Sequence, residues 1–124
     1  MDLSWIQLGS LLTLLGVTLG TFSTHSIEKK LSKNFITFFK TGVLYHIIHS
    51  FALFIIAWLS TLTHDPAVQY AGLFFMIGIL LFSGFSYILA ITETEGFRWI
   101  TLIGALFFLA GWFLLLHGNY TNFH

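Results

Sequence analysis

The chain has 124 residues, of which 56 % are hydrophobic and 8 % charged, and its five basic and five acidic side chains leave a formal net charge of zero. A soluble domain carries roughly a quarter of its residues as charged ones, so the composition excludes that class and predicts an integral membrane protein. With no cysteine, disulfides, thiolate metal sites, iron–sulfur clusters and covalently attached haem are excluded, and no basic surplus exists to bind nucleic acid.

A membrane-crossing helix needs about 20 apolar residues, and four such stretches occur, over 5–24, 41–62, 66–92 and 97–117. Little chain remains for anything else. The expected architecture is all-α, a four-helix transmembrane bundle forming a single integral membrane domain over 1–124, with the lipid bilayer as its solvent. The opening MDLSWIQLGSLL lacks the basic flank of a secretory signal and its apolar run is too long for one, so the first span is expected to be retained. Along that span Gly9, Thr13, Gly16, Gly20 and Ser23 form a narrow stripe of small residues. Such stripes let helix backbones approach where lipid supplies no hydrophobic drive between them. The stripe serves packing within the chain or between two copies.

The connection SIEKKLSKNFITFFK sets Ile27, Leu31, Phe35 and Phe38 against Lys29, Lys30, Lys33 and Lys40. It reads as a short amphipathic cytoplasmic segment, or, with Ser32 as N-cap, as a helix running straight into the second span. Four lysines against Glu28 place this connection in the cytoplasm by the positive-inside rule, and both termini outside. In the second span Gly42, Tyr45, His46, His49, Ala52, Leu53 and Ser60 fall on one face, whereas Leu44, Ile47, Phe51, Phe54, Ile55 and Trp58 cover the other. The first face is predicted to meet protein, the second lipid.

Asp65 is placed to cap the third span, with Pro66 in its first turn. Gly72, Met76, Ile79, Ser83, Ser86, Tyr87 and Ala90 form its small and polar stripe, and Glu93, Glu95 and Gly96 mark its exit. Arg98 and Trp99 anchor the fourth span at the interface. Gly104, Gly111 and Gly118, seven apart, are expected to give that helix one smooth face. Asn119-Tyr120-Thr121 is formally a glycosylation sequon.

Every Asp and Glu lies at a span boundary, so a proton-coupled exporter of cations would find no carboxylate within the membrane. The candidate polar cluster is His25, Tyr45, His46, His49, Ser83, Ser86 and Tyr87, since ionisable side chains in a bilayer are costly and start as functional candidates. His25, His46 and His49 are the candidate metal ligands; two histidines from different helices can also hold a haem or relay protons. The plainer reading, preferred here, is neutral histidines hydrogen-bonded between helices, with no metal and no cofactor. Ser83 and Ser86 have no acidic partner and no nucleophile-elbow sequence, so no catalytic residue and no enzyme are expected. Gly9, Gly16, Gly20, Gly42, Gly72, Gly104 and Gly111 are the expected packing positions.

Four local patterns carry a resemblance over essentially the whole chain: Gly20-Thr21-Phe22-Ser23-Thr24-His25, Thr41-Gly42-Val43-Leu44-Tyr45 followed by His49-Ser50-Phe51-Ala52-Leu53, Phe82-Ser83-Gly84-Phe85-Ser86-Tyr87, and Gly104-Ala105-Leu106 leading to Gly111-Trp112. Together they resemble the domain-of-unknown-function 423 family, also called uncharacterised protein family 0382, small bacterial membrane proteins with an animal relative named transmembrane protein 256. Thr21, Ser23 and Thr24 are more polar than that family's usual pattern, His46 stands where it usually has Gln, and Leu102 where it usually has Pro. The resemblance implies a four-span protein of the bacterial inner membrane and no mechanism. The resulting expectation is a non-enzymatic accessory or scaffold, in a homo-oligomer or a larger membrane complex. The alternative is an oligomeric transporter or a metal- or haem-handling protein built on the histidines.

Overall fold

The computed structural model describes residues 3–23, 26, 29–96 and 98–120. Four helices make up the fold: α1 (Leu3–Phe22), α2 (Lys33–Leu59), α3 (Pro66–Thr92) and α4 (Arg98–Leu116). Each is long and apolar enough to cross a membrane, and no strand occurs among the described residues. The second span therefore begins well before Thr41. Ser32 occupies the extended position before α2 without a side-chain cap bond, and Lys33 to Lys40 form its first two turns. Of the two readings of the lysine-rich connection, the continuous helix is the one realised, and only a short connection separates α1 from α2. Ile27 and Glu28 lie outside the described residues.

The central element is α2, which packs against α1 on one side and α3 on the other. Its buried residues include Gly42, His46, His49, Ala52 and Leu53 of the expected protein face, and also Val43, Ser50, Ile56 and Ala57. Leu44, Phe51, Ile55 and Trp58 are exposed, as a lipid-facing surface should be, whereas Ile47 and Phe54 of that expected face are half-buried against Gly16 and Gly9 of α1. Tyr45 departs from the expectation, since it is 39 % exposed at the edge of the protein face. The main core joins Ala52, Leu53 and Ile56 of α2 to Val68, Ala71, Phe75 and Ile79 of α3 and Phe108 of α4. Outside it, α1 exposes Leu11, Leu14, Leu15 and Val17.

The glycines of α1 seat that helix on α2. A Cβ at Gly9 would meet the Ser50 carbonyl oxygen at 3.2 Å, one at Gly16 would meet Ile47 Cγ1 at 2.9 Å, and one at Gly20 would meet Val43 at 3.3 Å. The stripe thus serves contact within the chain. A Cβ at Gly42 of α2 would meet the Cβ of Ser86 at 2.9 Å, and Gly72 of α3 makes room for the Trp5 ring.

The third helix is not regular. Its α-helical parts Pro66–Gly78 and Phe85–Thr92 are joined by a π-helical stretch, Ile79–Gly84. Before it, α3 buries Val68, Ala71 and Phe75; after it, Ser86, Leu89 and Ala90. The wide turn also presses backbone against α4, where Gly104 faces the amide of Phe82 directly. Gly111 likewise sits on Phe75. Gly118 corrects the expected seven-residue face, because α4 ends at Leu116 and Gly118 lies under the Tyr120 ring instead.

Polar networks close the two ends. At one, Asp65 caps α3 as expected, its Oδ1 accepting from the Ala67 amide at 2.9 Å, while Oδ2 accepts from the Asn119 amide at 2.7 Å. Thr63 Oγ1 donates to the Asn119 carbonyl at 2.8 Å, and Trp5 Nε1 donates to Gln69 Oε1 at 2.8 Å. The helix connection, the chain after α4 and α1 are thereby tied together. The two amide donors hold the Asp65 carboxyl below its usual range; burial and the Asp65 charge raise the Tyr120 phenol. Of the sequon, Thr121 lies outside the described residues. At the lysine-rich end Glu93 ends α3 in the left-handed conformation, φ 50°, and its Oε1 accepts from the Ser32 amide at 3.1 Å.

Candidate functional site

The polar side chains of the spans gather around α2, where helical geometry sets their directions. His46 and His49, three residues apart, diverge by about 60° around the axis. That difference sends them to different neighbours. His46 Nε2 lies 2.8 Å from the Leu12 carbonyl oxygen of α1, and its Nδ1 lies 2.7 Å from the Tyr87 hydroxyl of α3. His49 Nδ1 lies 2.8 Å from the Tyr45 carbonyl oxygen one turn back, and its Nε2 lies 3.0 Å from Trp112 Nε1 of α4.

These partners assign the protons. A carbonyl oxygen only accepts and an indole N–H only donates. His46 therefore carries a proton on Nε2, and as a neutral ring it accepts from the Tyr87 hydroxyl at Nδ1. His49 carries its proton on Nδ1 and accepts from Trp112 at Nε2. All four nitrogens are engaged, and the neutral rings stand in opposite tautomers. Neutrality suits the surroundings, because a charged imidazole in the bilayer is expensive.

The backbone contact of His46 has a local cause. The Leu12 carbonyl points along the helix toward residue 16, where a side chain would cover it. Gly16 has none, and a Cβ there would come within 3.3 Å of His46 Cδ2. The glycine that brings α1 close to α2 also uncovers an acceptor for the imidazole.

The serines make packing contacts of the same kind. Ser83 Oγ donates to the Gly42 carbonyl at 2.7 Å, and Ser50 Oγ donates to the His46 carbonyl at 2.7 Å. Ser86 is fully buried, and its hydroxyl has no hydrogen-bond partner among the described residues. His49 stacks on Phe108 at 3.6 Å between centroids, and Tyr45 meets Phe82 at 5.0 Å.

The single expected cluster is thus two networks. His46, Tyr87 and the Leu12 carbonyl join α1, α2 and α3; His49, Tyr45, Trp112 and Phe108 join α2 to α4. His25 lies outside the described residues. Among those described, no three His, Cys, Asp or Glu side chains group to hold a metal ion. A metal at either imidazole would have to displace the hydrogen bond from Tyr87 or Trp112. Trp112 and the Leu12 carbonyl are participants that sequence reasoning missed. For Trp112 the only signal was its place in the Gly111-Trp112 pattern; for Leu12, a main-chain acceptor, there was none.

Four apolar helices around a hydrogen-bonded, uncharged polar seam define a small polytopic membrane protein. The chain belongs to the family described as Protein of unknown function (DUF423), whose pattern matches residues 19–105. It is 38 % identical over 112 residues to the UPF0382 membrane protein SH2409 of Staphylococcus haemolyticus, covering 90 % of this chain and 91 % of that one. It is 36 % identical over 113 residues to the UPF0382 membrane protein YwdK of Bacillus subtilis, with 90 % and 92 % covered. A UPF0382 membrane protein of Haemophilus influenzae is 35 % identical over 106 residues, with 86 % and 85 % covered. No solved structure matches the chain.

Proposed function

We propose that the protein is a non-enzymatic component of the bacterial cell membrane, an accessory or scaffold in a larger assembly or a homo-oligomer, with both termini on the outer face. The observation that carries this reading is the full use of both histidines in interhelical and local hydrogen bonds, which commits the imidazoles of α2 to holding helices together. Interhelical hydrogen bonds of this kind contribute about 0.6 to 2 kcal/mol each. The exposed Leu11, Leu14, Leu15 and Val17 of α1 offer a surface to lipid or to a neighbouring chain. Lys29, Lys30, Lys33, Lys40 and Arg98 at one end support the orientation.

Affinity isolation in mild detergent, with metal analysis and a visible spectrum of the purified protein, tests the reading. We expect a co-purifying membrane protein or a second copy, and no stoichiometric metal or haem. One equivalent of either that is lost in the His46→Gln, His49→Gln double variant overturns it in favour of the ligand-handling alternative. Single cysteines at Lys33 and His117 test the orientation: an impermeant reagent added to intact cells should label position 117 and not 33, and the reverse overturns it.

A further inference from the structure

Between α2 and α4 the bundle is open. The fourth helix packs closely on α3, and aromatic side chains rather than backbones bridge it to α2, with His49 stacked on Phe108 and bonded to Trp112. Two clefts result. The lower one, of about 380 Å³, is lined by Tyr45, Phe82, Ala105, Phe108, Leu109 and Trp112 and lies within the apolar part of both helices. The upper one, also about 380 Å³, lies beside the first turns of both helices, where Asn34, Thr37, Phe38, Glu95 and Arg98 line it. Thr41 lines both, so they abut. Beyond Lys40 α2 carries no charged side chain, which puts Thr41 near the membrane–water interface.

We propose that an anionic phospholipid binds across these two clefts, its phosphate at Arg98, Asn34 and Thr37 and an acyl chain running past Thr41 into the aromatic cleft. The shape is amphipathic in the required order, polar donors outside and carbon surface inside. Charge favours an anion. Arg98 lies over the Phe38 ring, 5.2 Å from its centroid, which holds the guanidinium at the cleft. Lys33 and Lys40 lie four before and three after Thr37, on the same helix face. The acidic side chain lining the upper cleft is Glu95, whose pairing with Arg98 at 3.7 Å is solvent-exposed. Such a pair contributes little and yields readily to a phosphate that offers Arg98 two acceptor oxygens. A zwitterionic lipid brings its own cation into this basic end and is disfavoured by comparison.

The test is native mass spectrometry of the full chain in mild detergent with equimolar phosphatidylglycerol and phosphatidylcholine. We expect one phosphatidylglycerol to be retained in preference. Arg98→Gln, a change at an exposed side chain, should weaken its retention about tenfold, as loss of a charge-assisted phosphate contact implies. Ala105→Phe should block the chain cleft and reduce retention with the headgroup site intact; circular dichroism checks that it folds, and Arg98→Gln decides alone if it does not. Millimolar inorganic phosphate should fail to displace the lipid. Equal retention of the two lipids, or a preference unchanged in Arg98→Gln, overturns the proposal. Displacement by phosphate alone also overturns it, because the groove would then bind an anion without a chain.

Discussion

Gly104→Ala is the smallest change that should separate α3 from α4. The new Cβ would lie 2.8 Å from the Phe82 Cα and 2.9 Å from the Leu81 carbonyl carbon, besides meeting the Phe82 amide nitrogen. All three atoms are backbone, and all belong to the π-helical turn of α3. A side chain can rotate away from an intruding methyl; a hydrogen-bonded main chain moves only if the helix moves. Gly16 is the contrast, since its nearest neighbour is the Ile47 Cγ1, a side-chain atom with freedom to shift. Overpacking of a tight contact costs about 1–3 kcal/mol. We expect Gly104→Ala to lose stability in that range and Gly16→Ala to lose less. Gly84→Ala serves as the control. Its Cβ would have no neighbour closer than the Ile79 carbonyl oxygen at 3.9 Å, and alanine's helix propensity exceeds that of glycine by about 1 kcal/mol. It should be neutral or stabilising. Thermal unfolding in mild detergent, followed by circular dichroism, gives the order. A Gly104→Ala protein as stable as wild type, or less damaged than Gly16→Ala, refutes the backbone-contact argument.

Acid should loosen the end of the bundle closed by Asp65. Its folded-state pKa is lowered by the Ala67 and Asn119 amides, so its contribution is fully present above the unfolded carboxylate value of about 3.9 and is lost as pH falls below that toward the folded value. Asp65→Asn should flatten this acid limb in detergent unfolding, and an identical limb in the variant counts against the assignment. Ser83→Ala and Ser86→Ala should differ in sign or size. The first removes the bond to the Gly42 carbonyl, at a cost of about 0.6 to 1.5 kcal/mol. The second removes a buried hydroxyl with no partner and should be neutral or mildly stabilising; a larger loss from Ser86→Ala than from Ser83→Ala would reverse the reading of the two sites.

Hydropathy and spacing were enough to read the four helices and most of the lipid-facing surface of α2, because both follow from local composition and a fixed 3.6-residue period; Ile47 and Phe54, expected on that surface, pack against α1 instead. The Asp65 cap and the α1 glycine stripe were legible for the same reason: each is a short pattern whose physical role depends on its immediate neighbours. The histidines were legible as candidates, their partners were not. Which neighbour His46 or His49 reaches depends on how α1, α3 and α4 are arranged around α2, and residues 34, 41 and 63 positions away in the chain supply the bonds. The π-helical turn at Ile79–Gly84 was not legible in the sequence, although the stripe read on a regular period, Gly72, Ile79, Ser83, Ser86 and Ala90, is buried on both sides of it. Composition and periodicity therefore settled that this chain makes a helical bundle of zero formal net charge in a bilayer. Only the packing of helix on helix decided that its two histidines serve separate seams, because the direction of a side chain is local and the identity of what it meets is not.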